Sequence, residues 1–210
     1  MCLLINIEER FYFMDLKDEF ISIYEDNIKR DGSKELLNWL ESTDFFEAPA
    51  STKYHCACKY GLVQHSLNVY DVFKQKYFEE KNDNLESITI CTLLHDICKS
   101  HFYKISTRNV KNELTGVWEQ IPYYTIDDVF PYGHGEKSVF LIERFMRLKT
   151  SEAMAIRWHM GGFDDAVRGG GFSMSQAFDK FPLAVKLHIS DLEATYLKEK
   201  GTSEIRNKRV

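Results

Sequence analysis

The segment Leu85 to Lys99, LESITICTLLHDICK, constrains the fold more than any other part of the chain. Apolar side chains leave few polar faces on a helix drawn through it, so this helix is expected to be central. Asn82-Asp83-Asn84 precedes it and predicts the end of one helix and the start of the next. The segment carries His95 and Asp96 near its end, which predicts a histidine and a carboxylate in a buried position.

The Asp96 carboxylate needs a partner in such a position, because burying an unpaired carboxylate costs several kcal/mol. A metal ion is an efficient partner. Adjacent residues on a helix point about 100° apart, so His95 and Asp96 reach one cation only when Asp96 turns inward. Its two oxygens could then bridge two cations. Histidine and carboxylate ligands together suit Fe, Mn, Zn or Ni.

Helical spacing of apolar residues elsewhere predicts a mostly α-helical chain. The spacing recurs in six further segments, at about 16–28, 33–40, 61–78, 136–148, 151–160 and 182–200. Ser151 is the predicted N-cap of one of these helices, and Pro182 lies in the predicted first turn of another.

Three segments interrupt the helical pattern. The stretch 42–59 has no sustained period and is expected to be a loop that carries His55. Glycines bracket the stretch 161–171, which predicts a mobile loop beside His159. The stretch 102–128 is rich in β-branched and aromatic residues on either side of Leu-Thr-Gly, which predicts a β-hairpin.

The fold class that results is all-α with a small β-hairpin insertion at about 102–128, in a single domain that covers 1–210. The hairpin contains four aromatic residues that either cover a small core beneath it or line a site that stacks a nucleobase. These residues are Phe102, Trp118, Tyr123 and Tyr124.

Composition excludes several classes of protein. A net charge of -5 argues against a protein that grips duplex nucleic acid by broad phosphate neutralisation, although a small anionic substrate is compatible with it. Five cysteines, an odd number, do not form a disulfide framework and favour a reducing compartment, so we expect a cytoplasmic protein. The spacing Cys56-x-Cys58 is too short for a typical zinc pair. The N-terminal MCLLINIEERF is too short and too soon charged for a membrane span or a signal peptide.

Metal ligation is also indicated by a set of histidines in distinctive contexts, although a single buried histidine is more often a satisfied core residue. Of seven histidines, four lie in the segments GLVQHSLNVY, LLHDICK, GHGEKS and RWHMG, and a carboxylate follows in HISDLEATY. His65, His95-Asp96 and Asp191 resemble the H…HD…D signature of the HD-domain metal-dependent phosphohydrolase superfamily over residues 50–197. The match covers both the order and the local context of these residues.

The resemblance implies a helical HD-domain fold and a ligand set. LLHDICK is similar to the LLHDIGK of that family, with Cys98 at a position where glycine is common, a change expected to alter packing and not ligation. His134 and His159 lie between the HD pair and Asp191, as in the six-ligand subgroup that holds two metals. That subgroup includes HD-GYP-type phosphodiesterases and the HD domain of certain bacterial 3′-5′ exoribonucleases. The segment APASTKYHCACKYGLVQHSL is similar to the approach to the first histidine in the latter.

By this resemblance, one divalent metal is held by His65, His95, Asp96 and Asp191. A second is held by Asp96, as a bridge, with His134 and His159. The expected ions are Fe, Mn, Zn, Ni or Mg. Open positions on each would allow an activated water to attack phosphorus.

Lys99 lies one turn after His95 and is the expected contact to a substrate phosphate or proton donor to the leaving oxygen, with a solvated surface lysine as the alternative. Four further residues are candidates for phosphate contact, although a surface role is favoured for each of them alone. They are His55, Arg108, Lys111 and Arg157. His101 and His188 are left outside the ligand set, and Glu136 is read as a first-turn acid that caps its helix.

The expected function is hydrolysis of a phosphomonoester or phosphodiester in a nucleotide or short oligonucleotide, by a metal-activated water, with Asp96 and Lys99 as catalytic residues. Two alternatives stay open: a 3′-5′ exonuclease on single-stranded nucleic acid, and a metal-dependent or nucleotide-binding sensor without turnover. The expected partner is a small phosphorylated molecule, and neither a membrane nor duplex nucleic acid is expected. The sequence gives no indication of oligomerisation.

Overall fold

The structure is a computed structural model that describes residues 7–199, with side chains described from Asp15 onward. Nine α-helices and one antiparallel hairpin make up this part of the chain, which confirms a mostly α-helical protein with a small two-stranded sheet. In chain order the elements are α1 (Ile7–Asn27), α2 (Ser33–Ser42), α3 (Gly61–Tyr77), α4 (Leu85–Leu94), β1 (Tyr103–Lys111), β2 (Trp118–Ile126), α5 (His134–Glu143), α6 (Thr150–Trp158), α7 (Asp165–Arg168), α8 (Ser173–Lys180) and α9 (Pro182–Glu193).

Helix α4 is the central element, as its apolar sequence predicts. Every side chain from Ser87 to Leu94 is buried, and the helix packs against α1, α3, α6 and α9. Its first turn is closed by Asn84, whose side chain accepts a hydrogen bond from the Ser87 amide at 2.8 Å. An end so well fixed and a wholly buried body make α4 a rigid base for the residues that follow it.

The helical conformation ends earlier than the sequence predicts. The α-helix stops at Leu94, His95 and Asp96 follow in a turn, and Ile97–Lys99 form one turn of 3-10 helix. Asp96 has a φ of -108° and a ψ of 16°, outside the α-helical region. Because neighbouring residues on a straight helix point about 100° apart, this departure allows both side chains to face one space.

Helix α6 also begins differently from the prediction. Lys149, not Ser151, is its N-cap. The reason is Glu152, which is wholly buried and accepts a hydrogen bond from the Lys149 amide at 2.7 Å. Arg30 also donates to Glu152 at 2.8 and 2.9 Å, so the first turn of α6 is held at a fixed place against the loop after α1.

The segment 161–171 is more regular than a loop. It contains a 3-10 turn at Gly161–Phe163 and helix α7, which begins where the Asp164 side chain accepts a hydrogen bond from the Ala166 amide. Helix α8 follows and was not predicted. Pro182 lies in the first turn of α9, as predicted, and the helix continues beyond Glu193 as a π-helical segment, Ala194–Lys198. The predicted end of this helix at Lys200 lies outside the described residues.

The hairpin has the predicted position, with Tyr103 opposite Ile126 and Lys111 opposite Trp118. It covers little core, because Trp118 is 66% exposed and only Phe102 and Tyr124 among its four aromatic candidates are half-buried. Over residues 7–199, no helix is both long enough and apolar enough to cross a membrane. Four cysteines are described, among which Cys91 and Cys98 are buried free thiols, whereas Cys2 lies outside the described residues.

Candidate metal centre

The six predicted ligands come together although five separate parts of the chain supply them. His65 lies in the second turn of α3, and His95 and Asp96 follow α4 directly. His134 is the first residue of α5, His159 follows the last residue of α6, and Asp191 lies in the last turn of α9. All except His134 and Asp191 are buried, and those two are partly buried.

Asp96 is the centre of the cluster, and each of its oxygens faces a different pair of histidines. Oδ1 lies 2.7 Å from Nε2 of His134 and 3.5 Å from Nε2 of His159. Oδ2 lies 3.6 Å from Nε2 of His95 and 3.7 Å from Nε2 of His65. Asp191 extends the second group, since its Oδ1 is 3.2 Å from Nε2 of His65. The donors therefore form two groups that share Asp96.

The spacing within the second group suits ligands of one ion. Two nitrogens that lie about 2.1 Å from a metal, at angles between a right angle and a tetrahedral angle, are about 3.0 to 3.4 Å apart. The Nε2 atoms of His65 and His95 are 3.3 Å apart. The donors consequently need little movement to ligate a common ion.

The opposite nitrogen of each ring is held by a partner that orients it. Nδ1–H of His95 donates to the Thr92 carbonyl at 2.9 Å, and Nδ1–H of His159 donates to the Ile156 carbonyl at 2.6 Å. A proton on Nδ1 leaves the lone pair of Nε2 available to a metal. This arrangement is the one that metal-ligating histidines commonly use.

His159 gives a further sign that the donors fit a metal ion. Its side chain is fully buried, yet its Nε2 atom has no hydrogen-bond partner. Burying a polar atom without a partner costs about 1–3 kcal/mol. Because this nitrogen points toward Asp96 Oδ1, a shared cation would satisfy both atoms.

The cluster combines ionised carboxylates with histidines whose pKa values are shifted in opposite directions. Burial alone would raise the pKa of Asp96, but Lys99 and the surrounding histidines outweigh it and hold that pKa well below its usual range. Asp191 behaves in the same way, because His65, His95 and His159 together lower its pKa more than burial raises it. Burial lowers the pKa of His95 to about 4, so this ring is neutral and can ligate. Near neutral pH the cluster therefore has two carboxylates and a neutral His95 ring. Despite burial, Glu199 and Asp191 raise the pKa of His65 to about 10, and Cys98 and Asp96 raise that of His134 to about 10, so a metal would have to displace a proton from each of these two rings.

Lys99 contacts the cluster directly. Its Nζ lies 2.6 Å from Oδ2 of Asp96, and only 11% of its side chain is exposed. Burial would lower the pKa of Lys99, but the Asp96 carboxylate outweighs burial and raises it. Near neutral pH a positive charge thus lies beside the candidate ligands.

A cavity of about 750 Å³ opens over the cluster. Lys99 and His55 line it, as does His188, whose Nδ1–H donates to the His159 carbonyl at 2.6 Å. Burial lowers the pKa of His55 to about 3, and its Nε2 atom has no hydrogen-bond partner. Two of the five predicted substrate contacts, Lys99 and His55, therefore lie at the cavity.

The other three predicted substrate contacts lie elsewhere. Arg108 and Lys111 are exposed on β1 and do not line the cavity. Arg157 is paired with Asp164 at 2.7 Å and with Glu136, so its charge serves the local structure. Glu136 thus acts as an ion-pair partner within the first turn of α5.

His101, which was left outside the predicted ligand set, is 64% exposed, is not among the residues that line the cavity, and lies 3.6 Å from Asp44.

Sequence reasoning missed three contacts of the site. Cys98 was expected to alter packing only, but its Sγ lies 3.4 Å from Nδ1 of His134. Arg168 of α7 lines the cavity. Glu199 is 1% exposed and contacts Nδ1 of His65 at 3.0 Å. Cys98 could have been suspected because it departs from the motif, whereas no local pattern marks the other two.

Comparison with known proteins identifies no relative, so any functional assignment depends on the residues of this site. No family model matches the chain, and no curated protein or solved structure matches it. What is shown is a cluster of buried histidine and aspartate side chains that could bind metal.

Proposed function

We propose that the protein is a metal-dependent phosphohydrolase of the HD-domain type that uses two divalent ions. The observation that carries this proposal is the position of Asp96, with two histidines at each oxygen, on the floor of an open cavity and in contact with Lys99. A bridging carboxylate between two nitrogen-rich groups is the arrangement expected of a two-metal hydrolytic site. The ordered H…HD…D motif in the sequence supports the same assignment.

The residues divide into two ligand sets. His65, His95, Asp191 and Oδ2 of Asp96 would hold one ion, and His134, His159 and Oδ1 of Asp96 would hold the other. Nitrogen and carboxylate donors favour Fe, Mn, Zn or Ni, with Mg the less suited. When bound, such ions lower the pKa of a water molecule and neutralise charge that develops on a phosphoryl group.

The chain's own groups complete the chemistry. Lys99 offers a positive charge to a phosphate oxygen and a proton to the leaving oxygen, since its Nζ lies between Asp96 and the cavity. His55 offers a neutral nitrogen at the cavity wall. Asp96, Lys99 and His159 are buried at the floor of the cavity, and the low dielectric there strengthens electrostatic interactions with a substrate.

The cavity favours a small substrate over a nucleic-acid strand. Only two of the described residues that line it are lysine or arginine, namely Lys99 and Arg168. Its rim has exposed apolar side chains, of which three aromatic ones offer flat surfaces to a nucleobase: Tyr54, Phe163 and Tyr196. A phosphomonoester or phosphodiester of a nucleotide fits this combination of few cations and an aromatic rim. A long single strand would require a longer basic groove.

The test begins with elemental analysis of the protein purified without added metal. A panel of nucleoside monophosphates, cyclic nucleotides and labelled single-stranded RNA is then assayed with the unaltered protein, with Asp96→Ala and with the exposed-site control Asp179→Asn. We expect bound metal, turnover of a nucleotide and loss of turnover only in Asp96→Ala. A fully active Asp96→Ala protein with native circular dichroism would refute the proposal.

The same panel separates the two alternatives. Stepwise shortening of labelled RNA without release of phosphate from mononucleotides would favour the exonuclease. Tight nucleotide binding by a metal-containing protein without turnover of any member would favour a sensor.

A further inference from the structure

Glu199 is a buried carboxylate that the ligand set does not include. It follows the π-helical segment Ala194–Lys198 directly and is 1% exposed. Its carboxylate lies 3.0 and 3.2 Å from Nδ1 of His65 and accepts a hydrogen bond from the Asn68 side chain at 2.8 Å. A carboxylate placed so deeply, on the side of the ring that faces away from the other ligands, requires an explanation.

The His65 ring is held at both nitrogens by one continuous helical segment. Asp191 of α9 approaches Nε2 at 3.2 Å, and Glu199 approaches Nδ1 at 3.0 Å. The two carboxylates therefore fix the ring in its plane and set which nitrogen faces the cluster. No other histidine of the cluster has a carboxylate at Nδ1 among its described contacts, since Nδ1 of His95 and of His159 faces a backbone carbonyl.

The π-helical segment explains how one helix presents both carboxylates. Glu199 lies eight positions after Asp191, and in an ideal α-helix this interval rotates the two side chains about 80° apart. The Glu199 amide instead donates to the Ala194 carbonyl at 2.9 Å, a hydrogen bond over five residues that accommodates one extra residue in the turn. The interval then behaves as seven α-helical residues, which differ by only about 20°. Both side chains consequently lie on the face that packs against α3.

We propose that Glu199 is a positioning residue for the metal ligand His65, and that the π-helical segment Ala194–Lys198 serves to deliver it. This inference rests on the metal site of the proposed function. By accepting Nδ1–H, Glu199 keeps the lone pair of Nε2 directed at the ion and increases the basicity of the ring. Loss of such a partner typically weakens metal binding by about 10- to 100-fold.

The effect is expected at one of the two ions only. His65 belongs to the group at Asp96 Oδ2, whereas His134 and His159 belong to the group at Oδ1. A general loss of structure would weaken the binding of both ions together. Loss of a positioning contact would weaken binding of the ion at His65 and leave binding of the other ion unchanged. Comparing the affinities of the two sites therefore distinguishes the two causes.

The experiment measures Zn²⁺ binding by the full chain in competition with a chromophoric chelator. Glu199→Gln keeps the shape but removes the charge, and Glu199→Asp keeps the charge but shortens the reach, so that a measurement remains if one variant does not fold. The matched control is Glu193→Gln, on the same helix, where the carboxylate contacts Lys76 and not the cluster. We expect about 10-fold to 100-fold weaker binding of one Zn²⁺ in each Glu199 variant and no change in the control.

A second measurement reports on the ring itself. Long-range ¹H–¹⁵N spectra of the Zn²⁺-loaded protein, assigned with His65→Gln, are expected to show a protonated Nδ1 and a metal-bound Nε2 for His65, and a mixed pattern in Glu199→Gln. Glu199 variants that bind both ions within twofold of the unaltered protein, with the same His65 spectrum, would overturn the inference alone. An unaltered protein that binds no metal would overturn the proposed function as well.

Discussion

Removing His134 is the sharpest test of the two donor groups at Asp96. Its Nε2 lies 2.7 Å from Oδ1 of Asp96, and the group at Oδ2 does not depend on it. Under the proposed two-metal arrangement, His134→Ala should therefore remove one ion and leave the other. Asp96→Ala removes the carboxylate shared by both groups and should remove both ions.

The size of the effect follows from linkage between binding and folding. An ion present at 100 times its dissociation constant stabilises the folded state by about 2.7 kcal/mol. In a chain of this size, each kcal/mol shifts the melting temperature by about 2–4 °C, so each ion raises it by about 5–11 °C. The two groups share only Asp96. Metal should therefore raise the melting temperature of the unaltered protein by two such increments and that of His134→Ala by one, and it should not raise that of Asp96→Ala.

The assay combines native mass spectrometry, which counts ions, with calorimetric melting in chelator and in excess Zn²⁺. Only the rise caused by metal is compared, because Asp96→Ala also leaves Lys99 without its buried partner and lowers the melting temperature of the metal-free protein. The exposed His101, changed to Ala, is the control and should keep both increments. Two ions retained by His134→Ala, or one retained by Asp96→Ala, would refute the two-group reasoning.

Three further predictions concern the residues that support the site. Glu152→Ala should destabilise the protein by about 3–5 kcal/mol in denaturant unfolding, because it removes a buried carboxylate that Arg30 contacts through two nitrogens; a loss under 1 kcal/mol would contradict this. Despite burial, hydrogen bonds to Glu152 lower its pKa in the folded state. Its contribution to the free energy of unfolding should therefore be complete above the unfolded-state pKa of about 4.3 and should disappear as the pH falls through the lower pKa of the folded state. Glu152→Gln should lack this pH dependence. Gly61→Ala should destabilise by about 1–3 kcal/mol, since a Cβ there would lie 2.0 Å from the Cys56 carbonyl oxygen, and an unchanged melting temperature would refute it. Lys99→Met should lower kcat by at least about 100-fold while the metal content stays the same, and an unchanged kcat would exclude an acid role.

The fold was predictable where burial leaves a periodic trace in the sequence. Helix α4 was found because six of its ten side chains are apolar and leave few polar faces, and the hairpin because its composition changes abruptly on either side of a turn. Boundaries were less predictable, because tertiary contacts set them. Helix α6 begins at Thr150 because a buried Glu152 reaches back to Lys149, and nothing local distinguishes this from a cap at Ser151.

The candidate ligands were predictable from the sequence, whereas the residues that support them were not. Histidine and aspartate are unusual inside a core, so His95 and Asp96 after an apolar helix already imply a compensating partner. Arginines and lysines occur over the whole surface, and whether one is available to a substrate depends on the carboxylates with which it pairs. Arg157 pairs with Asp164 and Glu136, so its charge is already neutralised. Glu199 is the extreme case, because its contact with His65 depends on a single extra residue in one helical turn. A shift of one residue in that turn would rotate the carboxylate away, so a residue that contacts a candidate metal ligand can have no signature in the sequence around it.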